Sequence, residues 1–323
     1  MNMASLWRGW SVALLLAVAG CAASPAPSPA PEPATVVVAP PPPKVVAKPA
    51  PRPLPRVAIV VSMDTPAYND VAGALERRLD NRAMRYRLDG TTRAVLERAA
   101  PDQIVAIGLE AALFAKPLAR PERPVVFCQV FNHVEHDLIS PQVHGVAVFP
   151  SFRKTFATWR ALAPNVREIL VFTGPGFETV LTQAVAAASQ HGITLTHRSV
   201  NSDKEFLYQY KRLSASADGL WLLPDNRILS RNTIQDVMSF SVRNGKQVAV
   251  FSEQLLRLGG LFSAVSSPDE IAAKVLLRLD GSGGTAAGSG LLFLDEAEVR
   301  INPVIVQRLN LTVPESLRSH VVE

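Results

Sequence analysis

The chain has 323 residues, 48% of them hydrophobic and 19% charged, with a formal net charge of +5. Ahead of Arg56 there are four basic residues (Arg8, Lys44, Lys48, Arg52) and one acidic residue (Glu32), which leaves 29 basic and 27 acidic side chains for the rest. Nothing in that near-neutral remainder suggests the clustered Lys/Arg surface a nucleic-acid partner needs, and it is long enough to bury two cores rather than one.

The first element is a leader over residues 1–20. Arg8 precedes an apolar run, Val12–Ala19, and small residues lead into Val18-Ala19-Gly20-Cys21. The run is shorter than the roughly 20 residues that span a bilayer, and the order of parts is that of a secretory signal. The segment resembles a bacterial lipoprotein signal with its lipobox. The resemblance implies cleavage before Cys21 and acylation of that cysteine. It therefore implies attachment of the mature chain to a membrane outside the cytoplasm. An uncleaved anchor is the alternative. Residue 22 is Ala rather than the Asp that commonly marks retention at the inner membrane, so lipoprotein sorting rules point to the outer membrane.

Residues 21–55 then form a Pro/Ala-rich linker. Positions 22–55 hold 13 of the 26 prolines and no glycine. Such a segment cannot pack a core and is expected to be extended, reaching roughly 100 Å at about 3.1 Å per residue. With Cys21 acylated, Cys128 has no partner for an internal disulfide. It sits in the apolar run Pro124–Val130 and is expected to be buried and inert.

From Arg56 apolar runs alternate with amphipathic stretches. Strands are expected at 57–61, 103–107, 125–127 and 143–148, with a helix at about 66–79 whose first residue is Pro66. A helix over about 150–163 stops at Pro164. The pattern then restarts with strands at 168–172, 193–199, 219–223 and 247–251 and helices at 176–190, 203–213 and 229–243. Near-continuous apolar strands alternating with helices indicate parallel sheets covered on both faces. The fold class is α/β, with two doubly wound lobes rather than one large sheet.

Four stretches carry a further resemblance: Ala163–Gly176 (APNVREILVFTGPG), Asp218–Arg231 (DGLWLLPDNRILSR), Asn244–Glu253 (NGKQVAVFSE) and Val299–Pro314 (VRINPVIVQRLNLTVP). Together they are similar to the ABC-transporter substrate-binding family with a type I periplasmic-binding-protein fold. The resemblance implies two hinged lobes joined by three crossovers, here 56–147 with 266–292 and 148–265 with 293–323. It implies a small polar or amino-acid-like ligand in the cleft, no cofactor, no catalysis, and an ABC permease as partner. The alternative is an outer-membrane lipoprotein that uses the fold for protein interaction or regulation. The chain departs from the family pattern after the strand at 169–173, where a Tyr or Asn is common and Thr173-Gly174-Pro175-Gly176 stands instead.

In such sheets ligands bind beyond the carboxyl ends of the strands. The candidate ligand residues are Ser62 and Asp64, Gly108 and Glu110, Thr173, Gly174 and Gly176, Asp225 and Asn226, and Ser252 and Glu253. Asp225 is expected to hold an amino group or hydroxyl, so that removing the Asp225 and Glu110 side chains weakens binding without unfolding. Tyr68, Phe131, Phe149 and Phe177 are the aromatics placed to stack on a ligand. His133, Glu135, His136, Asp137 and His144 form a polar loop without the i,i+4 spacing of a zinc-protease helix, so no metal is expected. Gly174-Pro175-Gly176 lacks the third glycine of a dinucleotide fingerprint, and the Gly-rich run 281–290 lacks the Gly-Lys-Ser/Thr end of a P-loop. It is expected to be a surface loop.

Overall fold

The computed structural model describes residues 54–281 and 290–322. The leader, Cys21, nearly all of the 21–55 linker and most of the 281–290 loop lie outside the described residues. The chain runs β1 (Val57–Val61), α1 (Pro66–Leu79), β2 (Ala83–Arg87), α2 (Thr92–Ala99), β3 (Gln103–Ile107), α3 (Leu109–Ala115), β4 (Val125–Cys128) and β5 (Val143–Val146). It continues with α4 (Phe152–Leu162), β6 (Glu168–Thr173), α5 (Glu178–Gln190), β7 (Thr194–Ser199), α6 (Asp203–Leu213), β8 (Gly219–Trp221), α7 (Arg231–Arg243), β9 (Gln247–Val250) and β10 (Phe262–Val265). Last come α8 (Pro268–Leu279), β11 (Leu291–Leu292), β12 (Glu298–Ile301) and α9 (Pro303–Arg308).

Two six-stranded sheets result, ordered β11-β5-β4-β3-β1-β2 and β12-β10-β9-β8-β6-β7. Every pairing in the first sheet is parallel. The second is parallel except for β12, which runs antiparallel to β10. Continuous apolar runs account for the central strands: β1 is buried at all five positions because helices cover both sheet faces. The first sheet separates a cluster around Leu75, Val105 and Ile271 from one around Ile104, Phe127 and Leu138. The second does the same, with the edge-to-face rings Phe152, Phe156 and Trp221 on one side and Phe172, Phe206 and Tyr210 on the other.

Each sheet with its helices is one lobe, and three crossovers connect them. The Ser266 hydroxyl donates to the Val148 carbonyl at 2.5 Å, tying the first crossover to the second. The Ser151 N–H donates to Glu296 O at 2.9 Å, tying the first to the third. Glu270, in the first turn of α8, accepts from the Asp295 and Glu296 N–H groups.

Several expected boundaries shift for local reasons. The helix expected from 176 starts at Glu178, because Gly176 has φ +87° and Phe177 is the N-cap. The helix expected from 229 starts at Arg231, where the Ser230 side chain accepts from the Thr233 N–H. The strand expected over 219–223 ends at Trp221. Cys128 is fully buried with its thiol pushed up to about 12 by desolvation, which leaves it without nucleophilic thiolate.

Candidate functional site

The carboxyl ends of the two sheets bound a cavity of about 450 Å³, within the range of small-molecule sites. The first lobe contributes Leu109, at the start of α3, with Phe131 and Asn132 from the segment after β4. The second contributes Phe177, the turn Pro224-Asp225-Asn226-Arg227 after β8, Leu229 and Ile234, and Phe251 after β9. A second recess of about 310 Å³ shares Phe131, Pro224 and Phe251 and runs back to the crossovers at Val148–Pro150 and Ala264–Ser266. Gln129 lines that recess with φ 58°, a left-handed conformation rare for a non-glycine residue, at the point where β4 ends.

One polar cluster stands in these walls. The Arg227 guanidinium donates to both oxygens of Asp225, from Nε to Oδ1 and from Nη2 to Oδ2, each at 2.8 Å. Asp225 also accepts the backbone N–H groups of Gly174 at 2.8 Å and Arg227 at 3.1 Å. The remaining Arg227 nitrogen, Nη1, pairs with Glu135 from the opposite lobe. The guanidinium lies over the Phe177 ring, 5.6 Å from its centroid. Burial pushes the Asp225 pKa up, but the hydrogen bonds from Arg227 and Gly174 outweigh it and hold the carboxyl below its ordinary value. Its hydrogen bonds to Asp225 raise Arg227 in turn, against a smaller opposing effect of burial.

The structure gives most of the strand-end candidates other work. Ser62 accepts the Ala111 N–H at 2.9 Å, capping α3 in place of Gly108, which brings no side chain. Gly108 itself is packed against Ser62 and Tyr68. Glu110 is exposed and outside the cavity wall; burial first, then the Glu110 carboxylate, raise the Tyr68 phenol. Asp64 accepts from Asn69 at 2.5 Å in a separate recess with Arg85 and Arg87. Thr173 is buried and bonds His197 Nε2 at 2.9 Å. The Ser252 carbonyl accepts the Leu255 N–H, and Glu253 pairs with Arg300 at 3.2 Å. Gly176 borders the cleft beside Glu135, whereas Asp225 and Asn226 line the cavity. Asp225 is not free to take a ligand amine, because its own turn and Gly174 already saturate it. Of the aromatic candidates, Phe131 and Phe177 wall the cavity, Phe149 walls the recess, and Tyr68 does neither. Among the described residues no group of three or more His, Cys, Asp or Glu is arranged to hold a metal ion.

A profile describing ABC transporter substrate binding proteins matches residues 91–321. The chain belongs to that family. Members of the ABC transporter substrate binding family work outside the cytoplasm and are generally not enzymes. Among the described residues no helix is long and apolar enough to cross a membrane. Solved structures agree on the type I two-lobed fold. The ABC domain from Streptococcus pneumoniae in complex with L-Trp has a TM-score of 0.56 at 19% identity, covering 83% of this chain and 99% of its own. The ligand-free, open form of a substrate-binding protein with adhesive properties from Clostridium difficile has a TM-score of 0.60 at 17% identity, covering 84% and 99%. A conserved domain protein from Vibrio cholerae reaches 0.54 at 16% identity, covering 83% and 98%. No curated protein matches the sequence.

The paired Arg227 and Glu135 are not among the strand-end candidates, and neither are Leu109, Asn132, Leu229, Ile234 and Phe251 of the cavity wall. Arg227 directly follows the Asp225-Asn226 pair, and Glu135 lies in the polar loop after β4. They are 92 positions apart, so only the arrangement of the lobes reveals their pairing.

Proposed function

We propose that this protein is an extracytoplasmic solute-binding component that closes its two lobes on a small ligand and serves an ABC-type importer. The observation that carries the reading is the cavity at the strand ends, walled by both lobes with aromatic and aliphatic side chains around few polar groups. The moving bodies are 56–147 with 266–292 and 148–265 with 293–323. Ligand favours the closed arrangement to the extent that it binds that state better than the open one. Acylated Cys21 and the 21–55 linker tether the binding unit to a membrane, with Ala22 directing it to the outer one. Incorporation of labelled palmitate that is lost in Cys21→Ala tests the tether.

A thermal-shift screen of amino acids, sugars, nucleosides and small carboxylates tests the binding itself. A ligand at a hundredfold excess over its Kd stabilises the native state by about 2.7 kcal/mol, which for a chain of this size is a rise in Tm of about 5 °C. The expected result is such a rise with one chemical class. No rise with any class supports the second reading, an outer-membrane lipoprotein that uses the fold to bind a protein. Ala22 and the proline-rich linker favour that reading.

A further inference from the structure

We infer that the solute is a small aromatic or branched aliphatic carboxylate without an α-ammonium group, and that its carboxylate takes the Arg227 edge now paired with Glu135, displacing Glu135. The inference rests on the solute-binding reading above and narrows it to a chemical class.

A carboxylate offers about four lone-pair positions. Asp225 meets four donors: the Gly174 N–H, the Arg227 N–H, and Arg227 Nε and Nη2. The ammonium of an amino acid would have to break one arm of a bidentate fork to reach it, in a position where the Asp225 side chain is only 2% exposed. The turn that looks built for an amine in sequence is therefore neutralised by its own arginine.

Arg227 Nε and Nη2 are committed to Asp225, and the ring of Phe177 lies under the guanidinium plane. Gly174 keeps room for this placement, since a Cβ there would sit 2.9 Å from Arg227 Cζ. The guanidinium is thus fixed before any ligand arrives, which removes an ordering cost from binding. Its Nη1 edge is met by Glu135, a carboxylate carried by the opposite lobe and one-third exposed. A ligand carboxylate can replace Glu135 there one charge for one, and Glu135 can return to water. The Asn132 amide nitrogen bonds His136 Nε2 at 3.1 Å and donates to the other Glu135 oxygen at 3.3 Å, and the second of these hydrogens is released to the incoming group when Glu135 leaves.

Beyond this cluster the cavity presents Leu109, Phe131, Ile234 and Phe251, with Asn226 uncharged. An apolar body with a single anionic end matches that distribution. A sugar or a zwitterion leaves polar groups against apolar carbon.

The test is isothermal titration of the Arg52–Glu323 unit, which is compact on its own, with matched pairs that differ only at the α-ammonium: 3-phenylpropionate against L-phenylalanine, indole-3-propionate against L-tryptophan, and 4-methylpentanoate against L-leucine. At least one deaminated acid is expected to bind about tenfold or more tightly than its amino acid. Arg227→Lys, which keeps the charge beside Asp225 but loses the fork, should weaken that acid by about tenfold. Glu135→Gln, an exposed and conservative change, should tighten it by about threefold or more. Amino acids binding as tightly as the deaminated acids, or a Glu135→Gln variant that binds more weakly, would overturn the inference and leave the solute-binding reading in place. Binding of sugars or nucleosides alone would do the same. Silence from every compound tested would overturn both.

Discussion

Substituting alanine for Gly219 should destabilise the second lobe by about 3 kcal/mol, the cost of overpacking a site that cannot relax. Gly219 opens β8 between β6 and β9. A Cβ at this position would lie 2.5 Å from the Gln247 carbonyl oxygen and 2.9 Å from Trp159 Cζ2. Neither neighbour can yield cheaply. The carbonyl is backbone of β9, and the Trp159 indole N–H donates to Gln247 Oε1 at 2.6 Å while its ring packs edge-on to Phe262. Urea unfolding should show a lower midpoint with an unchanged slope. Gly73→Ala is the control. It lies inside α1, where a Cβ would make only an ordinary 3.6 Å contact with Arg77, so it should gain about 0.5–1 kcal/mol.

The second large effect is expected from Asp225→Asn. The isosteric amide would turn an NH₂ group toward donors that now meet an oxygen, and it would take from Arg227 the charged acceptor of its fork, leaving Glu135 as its ion pair. Breaking a fully buried pair costs about 3–5 kcal/mol. Arg227 is about 30% exposed, so water recovers part of that and a loss of about 2–3 kcal/mol is expected. The pH dependence has a definite sign. Asp225 has a folded pKa below its unfolded value, so its contribution is fully present above the unfolded pKa of about 3.9 and is lost as pH falls through the folded one. The stability gap between wild type and Asp225→Asn should therefore be constant near neutrality and narrow below about pH 4. A gap that is unchanged at low pH would remove the carboxylate from the account. Position at a strand end alone assigns Asp225 to the ligand, with the opposite expectation of weakened binding at full stability.

How much was legible follows from where each residue's partners lie. Continuous apolar runs such as Val57–Val61 and Gln103–Ile107 are central strands covered on both faces, and their composition states this directly. β2 is an edge strand with Arg85 and Arg87 alternating toward solvent, so its apolar signal is halved. β12 alternates exposed and buried positions for the same reason. The rule that ligands sit beyond strand ends points to the end of both sheets where the cavity lies. It did not separate residues facing the cleft from those facing inward. Ser62 and Thr173 stand at strand ends, yet their hydroxyls are consumed by the Ala111 N–H and His197. The Asp225-Asn226 turn was visible as a motif, whereas its neutralisation by Arg227 depends on a side-chain fork that spacing does not encode.

The central claim is that the cavity between the two sheets holds one small solute. Native mass spectrometry of the Arg52–Glu323 unit tests it directly, with wild type and Ile234→Trp compared side by side against the same compounds. Ile234 lines the cavity from α7, so a tryptophan there fills the space while leaving the Arg227 cluster untouched. A single-ligand adduct is expected on wild type and is expected to disappear in Ile234→Trp. An adduct that persists in the filled variant, or a wild-type chain that takes up none of the compounds, would contradict it.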